Sequence, residues 1–351
     1  MNVAVRSHAT EIEPRRLRVP PAARQRLALQ VGQGLATGEA LEASFSYGVS
    51  WPALADLLDH FQLDFELESQ LLFGAPLFET EVAGARLSFV HARSRDGVAM
   101  PLLLLHGYPG TPAEFQHLLE PLGSASAGRN AFHVVCPVLT DASHPRAAAE
   151  ACAGLMQRLG YERYAVHGSD LGANIALELA DLDRAHVAGL HVTALPAYPA
   201  PEPDELASLT PHEKSQLSRL TELADELRFG LPTSPIEELA FALGRFEDAE
   251  AACANHQLRD TLLTSFTLAW SLGDPNQRRE LYRHRLDPAP PSRAPLAVQS
   301  FPLDAPILRR FAEREHRVVE WHEHAQGGGA PALEQPELLL ESLRRFVAKL
   351  R

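Results

Sequence analysis

The segment Tyr164–Asn174, which reads YAVHGSDLGAN, constrains the fold more than any other, because it places an aspartate between two glycines where a strand would turn into a helix. Gly168 and Gly172 each lie two residues from Asp170. Glycine on both sides lets a strand and a helix pack closely while the central residue occupies a strained turn and points its side chain into a pocket. The pattern predicts a nucleophile elbow with Asp170 in the reactive position; the alternative is an aspartate that caps a helix.

Composition limits the classes of protein to which the chain can belong. Its 351 residues are 45% hydrophobic, which is enough for one large domain with an insertion. A net charge of -13 argues against nucleic acid and anionic membrane surfaces as partners, and no run approaches the roughly 18 apolar residues that span a bilayer. Three cysteines without metal spacing, and no apolar signal core near the N-terminus, indicate a cytoplasmic protein. We expect a small hydrophobic substrate, no cofactor and no metal, and leave a homodimer open.

Apolar runs alternate with helical patterns along the chain, which is typical of an α/β fold with a mostly parallel sheet. The predicted strands are Ala85–Ala92, Leu102–His106, Phe132–Pro137, Tyr164–Gly168, Gly189–Ala194, Leu296–Phe301 and Arg317–Glu323. The predicted helices of the core are Pro145–Leu159, Ala173–Leu182, Leu308–Glu315 and Glu334–Leu350.

The proline-bounded helical interval that interrupts this alternation predicts a cap over the carboxyl ends of the strands, where substrates are selected. We therefore expect a helical N-terminal arm over residues 1–80, packed on the core, and a first half of the core over residues 81–195. The cap follows over residues 196–292, and the second half of the core over residues 293–351.

Several motifs together carry a resemblance to a known family. They are Tyr47–Val49 and Phe65–Glu68 in the arm, Pro101–Gly110 with Glu114 and Phe115, Leu155–Tyr161 before the elbow, and Ala332–Leu338. On these segments the chain resembles the microsomal-type epoxide hydrolases of the α/β-hydrolase superfamily. The resemblance implies an α/β-hydrolase fold with a helical cap and an N-terminal helical arm.

The resemblance also implies roles for individual residues. Asp170 matches the nucleophile that attacks an epoxide carbon. The segment His106-Gly107-Tyr108-Pro109 matches a loop whose backbone N–H groups, together with that of Leu171, stabilise negative charge on the intermediate; an ordinary turn is the alternative. The family usually has tryptophan in place of Tyr108 and Leu171, so we expect a changed pocket wall.

Two further residues match functional positions of the family, one an acidic residue and the other a tyrosine of the cap. Asp304 matches the acidic residue that orients the catalytic histidine, and helix capping is the alternative. Tyr282 matches one of two cap tyrosines that donate hydrogen bonds to the epoxide oxygen, and core packing is the alternative. The partner tyrosine is missing from the segment before Pro235. The side chains expected in the cap pocket are Leu227, Phe229 and Trp270.

The largest departure from the family is at its general base. The family pattern Gly-Gly-His-Phe-Ala maps onto Gly327–Pro331, so that Gly329 stands at the position of the histidine. The glycine-rich loop of the family is also shortened, to Asp141–Ser143. His322 and His324 are the nearby candidates for a replacement, of which His324 lies at the strand end; the alternative is surface or packed histidines.

An aspartyl ester without a base would accumulate, so each molecule would turn over about once. We therefore predict an epoxide-hydrolase-like protein that acts as a non-hydrolytic cyclase or isomerase on an apolar metabolite, for which the resemblance suggests a polyketide. Asp170 and Asp304 would act as acid or base, or the pocket would fold the substrate into a reactive conformation. The alternatives are a true epoxide hydrolase that uses His324 and a non-catalytic protein that binds a small molecule.

Overall fold

The computed structural model of the protein describes residues 12–15, 19–63, 76–124, 131–139, 142–200 and 202–350. Three of the sequence predictions fall outside this part of the chain. They concern the motif Phe65–Glu68, the start of the shortened loop at Asp141, and the side chain of Phe229.

The strands of the described residues form one sheet in the order β1-β2-β3-β5-β4-β6-β7-β8-β9. The three pairs from β1 to β5 are antiparallel, and all pairs from β5 to β9 are parallel. The strands are β1 Glu13–Arg15, β2 Leu77–Val82, β3 Ala85–Ala92, β4 Met100–Leu105, β5 Phe132–Pro137, β6 Tyr164–Gly168, β7 Val187–Val192, β8 Leu296–Ser300 and β9 Val318–Glu323.

Helices cover the sheet and fill the interval between β7 and β8. None of the helices in the described ranges is long and apolar enough to cross a membrane. The helices before that interval are α1 Pro21–Thr37, α2 Glu39–Ser46, α3 Trp51–Leu63, α4 Gln116–Gly123, α5 Pro145–Arg158 and α6 Leu171–Leu182. Those of the cap are α7 Pro203–Ala207, α8 Pro211–Phe229, α9 Pro235–Leu243, α10 Ala249–Ala254, α11 His256–Leu272 and α12 Pro275–Arg283. The last are α13 Arg309–Glu315, α14 Pro331–Glu334 and α15 Pro336–Ala348, with 3₁₀ turns at Pro112–Phe115 and His284–Leu286.

Every predicted strand and core helix is present, with each end within two residues of its predicted place. Strand β2 was not predicted, because the first 80 residues were expected to be helical. It pairs with β3 through a two-residue turn at Ala83 and Gly84, which have φ angles of 52° and 84°. A turn with two positive φ angles suits a β-hairpin.

The expectation that the N-terminal arm packs on the core is wrong for helices α1 to α3, whereas β1 and β2 belong to the core sheet. Helices α1 to α3 instead share a hydrophobic cluster with cap helices α9 to α11, in which Leu54 and Leu57 of the arm meet Leu239 and Leu263 of the cap. The apolar faces of both groups of helices are buried mainly against each other, since the core sheet is already covered by its own helices. The arm therefore supports the cap.

The two glycines of the elbow lie where backbones approach closely. A Cβ atom on Gly168 would stand 2.3 Å from the carbonyl oxygen of Gly172, and one on Gly172 would stand 2.2 Å from the carbonyl oxygen of Leu105. Asp170 between them has φ 53° and ψ -121°, a conformation that costs a non-glycine residue free energy. The glycine spacing thus reflects the contact of helix α6 with strands β6 and β4.

Substitution Gly172→Ala should lower the free energy of unfolding by about 3 kcal/mol, because the new methyl group would overlap the backbone of β4. Urea unfolding measures this change. Gly123→Ala is the matched control, since a Cβ atom there meets nothing within 4 Å, and it should change stability little. Equal effects of the two substitutions would contradict the close-contact explanation.

Candidate active site

The carboxyl ends of the parallel strands bring the candidate residues together. Strand β4 leads into the His106–Pro109 loop, β6 into Asp170, and β8 into the turn that carries Asp304. Since these strands are parallel, the residues that follow them meet at one edge of the sheet. The cap helices between β7 and β8 contribute the remaining side chains.

Asp170 is fully buried, and both of its carboxylate oxygens face positive charge. The backbone N–H of Tyr108 donates a hydrogen bond of 3.0 Å to Oδ2, as expected for the loop after β4. Nη1 of Arg245 donates to the same oxygen at 3.0 Å, and Nε of Arg285 forms an ion pair with Oδ1. The carboxylate at the tip of the elbow is therefore enclosed by two guanidinium groups.

Arg245 follows cap helix α9 and occupies the space in front of Gly329. Its guanidinium donates to the carbonyl oxygen of Gly329 at 2.5 Å and to that of Tyr108, while the Gly329 N–H donates to the Arg245 carbonyl at 2.7 Å. A Cβ atom on Gly329 would lie 2.9 Å from Nε and 3.1 Å from Nη2 of this arginine. The glycine at the predicted base position thus leaves the room that Arg245 fills.

Arg285, in the 3₁₀ turn after α12, links three candidate groups. Besides its ion pair with Asp170, it donates through Nη2 to Oδ1 of Asp304 at 2.5 Å and through Nη1 to the Tyr282 hydroxyl at 2.8 Å. The Ala305 N–H also donates to Oδ1 of Asp304, at 2.7 Å. Oδ2 of Asp304 has no hydrogen-bond partner among the described residues. Burial raises the pKa of Asp304, against the opposing charge of Arg285.

Tyr282 is buried and is held by its neighbours in a fixed position. Its ring stacks on that of Tyr108, with centroids 4.5 Å apart, and burial raises its pKa to about 12. The Tyr108 hydroxyl donates to Glu238 at 3.1 Å, and Glu238 pairs with the buried Arg278 at 2.8 Å. Since the Tyr282 oxygen accepts a bond from Arg285, its hydroxyl hydrogen is available to a ligand.

A cavity of about 630 Å³ lies between the cap and the edge of the sheet. Its lining is about equally polar and apolar, and none of its described lining residues is a histidine. The groups of the candidate site that line it are Arg245, Tyr282, Arg285 and Asp304; the other polar residues are Ser46, Tyr47, Glu226, Thr233 and Glu237, and the apolar residues include Leu223, Leu227, Leu231, Phe241 and Leu303. Of the predicted cap-pocket residues, Leu227 lines the cavity. Trp270 instead packs in the cluster between arm and cap, beneath the guanidinium of Arg278.

The histidines considered from the sequence lie elsewhere. His324 stacks on Phe301 with ring centroids 4.6 Å apart and bonds to Gln299 at 2.9 Å. His322 bonds to Glu320 on the outer part of β9. His106 contacts the Gly107 carbonyl and accepts from the Leu139 N–H, and burial lowers its pKa to about 4. His106 is thus a neutral residue that supports the loop.

Sequence reasoning missed the residues that dominate the electrostatics of the site. Arg285 lies three positions after Tyr282, a spacing that places two side chains near each other on a helical turn, so this signal could have been used. Arg245 lies far from every motif and has no such signal. Glu114 was recognised from the sequence only as part of a motif. It accepts a hydrogen bond from the Gly107 N–H, and burial raises its pKa to about 7.

Comparison with known proteins shows that the chain is similar to epoxide hydrolases. Residues 12–115 match the family model described as Epoxide hydrolase N terminus. The protein named Putative epoxide hydrolase from Stigmatella aurantiaca is 28% identical over 97% of this chain and 86% of its own, and epoxide hydrolase 1 of Sus scrofa is 24% identical over 88% and 82%.

Solved structures of two epoxide hydrolases share the fold. That of Aspergillus niger has a TM-score of 0.73 at 22% identity over 98% of both chains. The juvenile hormone epoxide hydrolase of the silkworm Bombyx mori has a TM-score of 0.70 at 21% identity, over 97% of this chain and 94% of its own. The protein therefore has the α/β-hydrolase fold. The chain is similar to epoxide hydrolases, and its residues 12–115 match the model of their N-terminal domain, as the sequence motifs predicted.

Substitution Gly329→His alone should lower the free energy of unfolding by about 3 kcal/mol, because the imidazole would displace Arg245 and leave a buried charge unpaired. In an Arg245→Ala background the same substitution should cost less, giving a coupling energy of about 1–3 kcal/mol. Urea unfolding of the four proteins measures this coupling.

Gly97→His, at a position where a Cβ atom meets nothing within 4 Å, is the control and should show no coupling to Arg245→Ala. Additive effects of Gly329→His and Arg245→Ala would show that the glycine and the arginine are independent.

Proposed function

We propose that this epoxide-hydrolase relative is a non-hydrolytic cyclase or isomerase, in which Asp304 accepts a proton and Tyr282 donates a hydrogen bond to the substrate. The observation that carries the proposal is the enclosure of Asp170 by Arg245 and Arg285. The same Arg285 holds Asp304 and Tyr282 at the inner end of the cavity.

The enclosure of Asp170 argues against hydrolysis through an ester. A nucleophilic carboxylate needs a free lone pair directed at the epoxide carbon, and two ion pairs in a buried site would have to break first. Removing one partner from a buried ion pair typically costs several kcal/mol. The space in which a base would activate water is occupied by Arg245, and His324 is engaged with Phe301 and Gln299.

The pair Asp304 and Tyr282 is arranged for acid–base chemistry without water. For ring closure of a hydroxy-epoxide, Oδ2 of Asp304 takes the proton of the substrate hydroxyl group. The hydroxyl oxygen of the substrate then attacks an epoxide carbon. The carbon–oxygen bond of the epoxide breaks, and its oxygen takes a proton from Tyr282, which is restored by the proton on Asp304. A positioned acid and base of this kind typically contribute a rate increase of about 100-fold or more.

A protein that only binds an apolar ligand is the second candidate, because the cavity walls suit such a ligand. Its weakness is Oδ2 of Asp304, which is buried without a hydrogen-bond partner in the described part of the chain. Burying an unpaired polar atom costs free energy, and mere ligand storage gives no reason to keep it. Acid–base catalysis supplies that reason.

The experiment uses a 4,5-epoxy alcohol as probe in water labelled with ¹⁸O. We expect a cyclic ether without ¹⁸O, formed about 100-fold more slowly by Asp304→Asn and about 10-fold more slowly by Tyr282→Phe. Glu150→Gln, at an exposed site on α5, is the charge-matched control for Asp304→Asn and should leave the rate unchanged. Steady formation of a diol with ¹⁸O would contradict the proposal.

The pH profile separates a chemical role of Asp304 from a structural one. Asp304 must be ionised to accept a proton, and burial raises its pKa above the usual carboxyl range. The rate should therefore rise with pH through this raised pKa and then level off, and Asp304→Asn should remove that rise. A wild-type rate that does not change with pH over this interval would remove Asp304 from the mechanism.

A further inference from the structure

We propose that the natural substrate is an apolar ketone with an acidic C–H next to its carbonyl group, and that Asp304 removes this proton to form an enolate. The inference rests on the proposed function and narrows it to one class of substrate. It follows from the unused hydrogen-bond donors around the inner end of the cavity.

Arg245 has more donors than the protein uses. A guanidinium has five N–H groups, and Arg245 commits three of them among the described residues, to Tyr108, Asp170 and Gly329. Its Nε–H and one Nη2–H donate to none of the described residues, and the side chain lines the cavity. A substrate oxygen at this end would therefore meet N–H donors of Arg245 and the O–H of Tyr282.

This concentration of donors suits an oxygen that becomes negative during the reaction. Opening of an epoxide is assisted by ring strain, whereas loss of a proton from carbon depends on donors that stabilise the resulting oxyanion in a site shielded from water. Two guanidinium groups and a phenol supply such stabilisation. The ion pairs with Asp170 keep the arginines in place before the substrate binds.

The base and the donor are held together by one rigid group. The planar guanidinium of Arg285 binds Oδ1 of Asp304 through one nitrogen and the Tyr282 oxygen through another. The second carboxylate oxygen and the phenolic hydrogen consequently lie at neighbouring points, as the adjacent C–H and C=O groups of a ketone require. The leucines and Phe241 in the cavity lining match the apolar part of such a ketone, while other lining residues are polar.

The chemical step balances without water or a co-reactant. The C–H bond breaks, its proton goes to Oδ2 of Asp304, and its electron pair forms a carbon–carbon double bond. The carbonyl π electrons move onto the oxygen, which Tyr282 and Arg245 stabilise. If the ketone has a neighbouring carbon–carbon double bond, the enolate regains the proton from Asp304 at the far carbon, which shifts that double bond. If the molecule has a second carbonyl group, the enolate carbon attacks its carbon and closes a ring; the π bond of that carbonyl breaks, its oxygen takes the proton from Asp304, and the first carbonyl group re-forms.

The test measures exchange of the α-protons of 2-tetralone with D₂O in the presence of the full-length protein. NMR monitors the exchange as loss of the α-proton signal of 2-tetralone. We expect the wild-type protein to accelerate loss of the α-proton signal over buffer, Asp304→Asn to lose about 100-fold of that acceleration, and Tyr282→Phe about 10-fold. Glu150→Gln is again the control and should match the wild type. Unfolding curves establish that each variant is folded. If Asp304→Asn does not fold, Tyr282→Phe, which retains the ring stacked on Tyr108, provides the test instead.

The outcomes distinguish this inference from the proposed function. Exchange that depends on Asp304 and Tyr282 supports the inference that the natural substrate is a ketone. Ring closure of the 4,5-epoxy alcohol without any catalysed exchange would contradict the assignment of a ketone substrate and leave the proposed function standing. Binding of 2-tetralone without exchange, or exchange that Asp304→Asn does not slow, would also overturn it. Diol formation from the epoxide with no exchange would overturn both.

Discussion

The ion pairs of Arg245 and Arg285 with the buried carboxylate of Asp170 are the interactions on which the site depends. Both arginines come from the stretch between β7 and β8, whereas Asp170 lies at the end of β6, so these charges also fasten the cap to the sheet. A buried carboxylate is stable only when it is paired and hydrogen-bonded. Asp304 and Tyr282 take their positions from the same Arg285.

The elbow has a positive φ angle at Asp170 and glycines on both sides of it, and two arginine side chains lie in front of its carboxylate. The strained turn that would present a nucleophile here presents an anchor for two arginines. Among the described residues, Oδ1 of Asp170 lacks a hydrogen bond but forms an ion pair with Arg285, whereas Oδ2 of Asp304 has neither. A shared fold does not by itself determine a shared reaction, because the reaction depends on the side chains around the elbow.

The sheet and the elbow could be predicted from the sequence because each leaves a local pattern, such as an apolar run or glycines at a fixed spacing. Strand β2 was missed because the first 80 residues were expected to be helical and because the strand has no regular alternation of apolar and polar residues. Arg245 could not be predicted, since charged residues are usually exposed and its contacts with Asp170 and Gly329 join distant parts of the chain. Long-range electrostatic contacts of this kind appear only after folding.

Intact-mass measurement after incubation with styrene oxide and acid quenching tests most directly whether Asp170 is held out of the reaction. An exposed Asp170 without a base would form an ester that accumulates, and an exposed Asp170 with a base would produce diol continuously. We expect neither: the wild-type mass should remain unchanged and no diol should form, because Arg245 and Arg285 occupy both carboxylate oxygens. An adduct located on Asp170, or sustained diol formation, would contradict this.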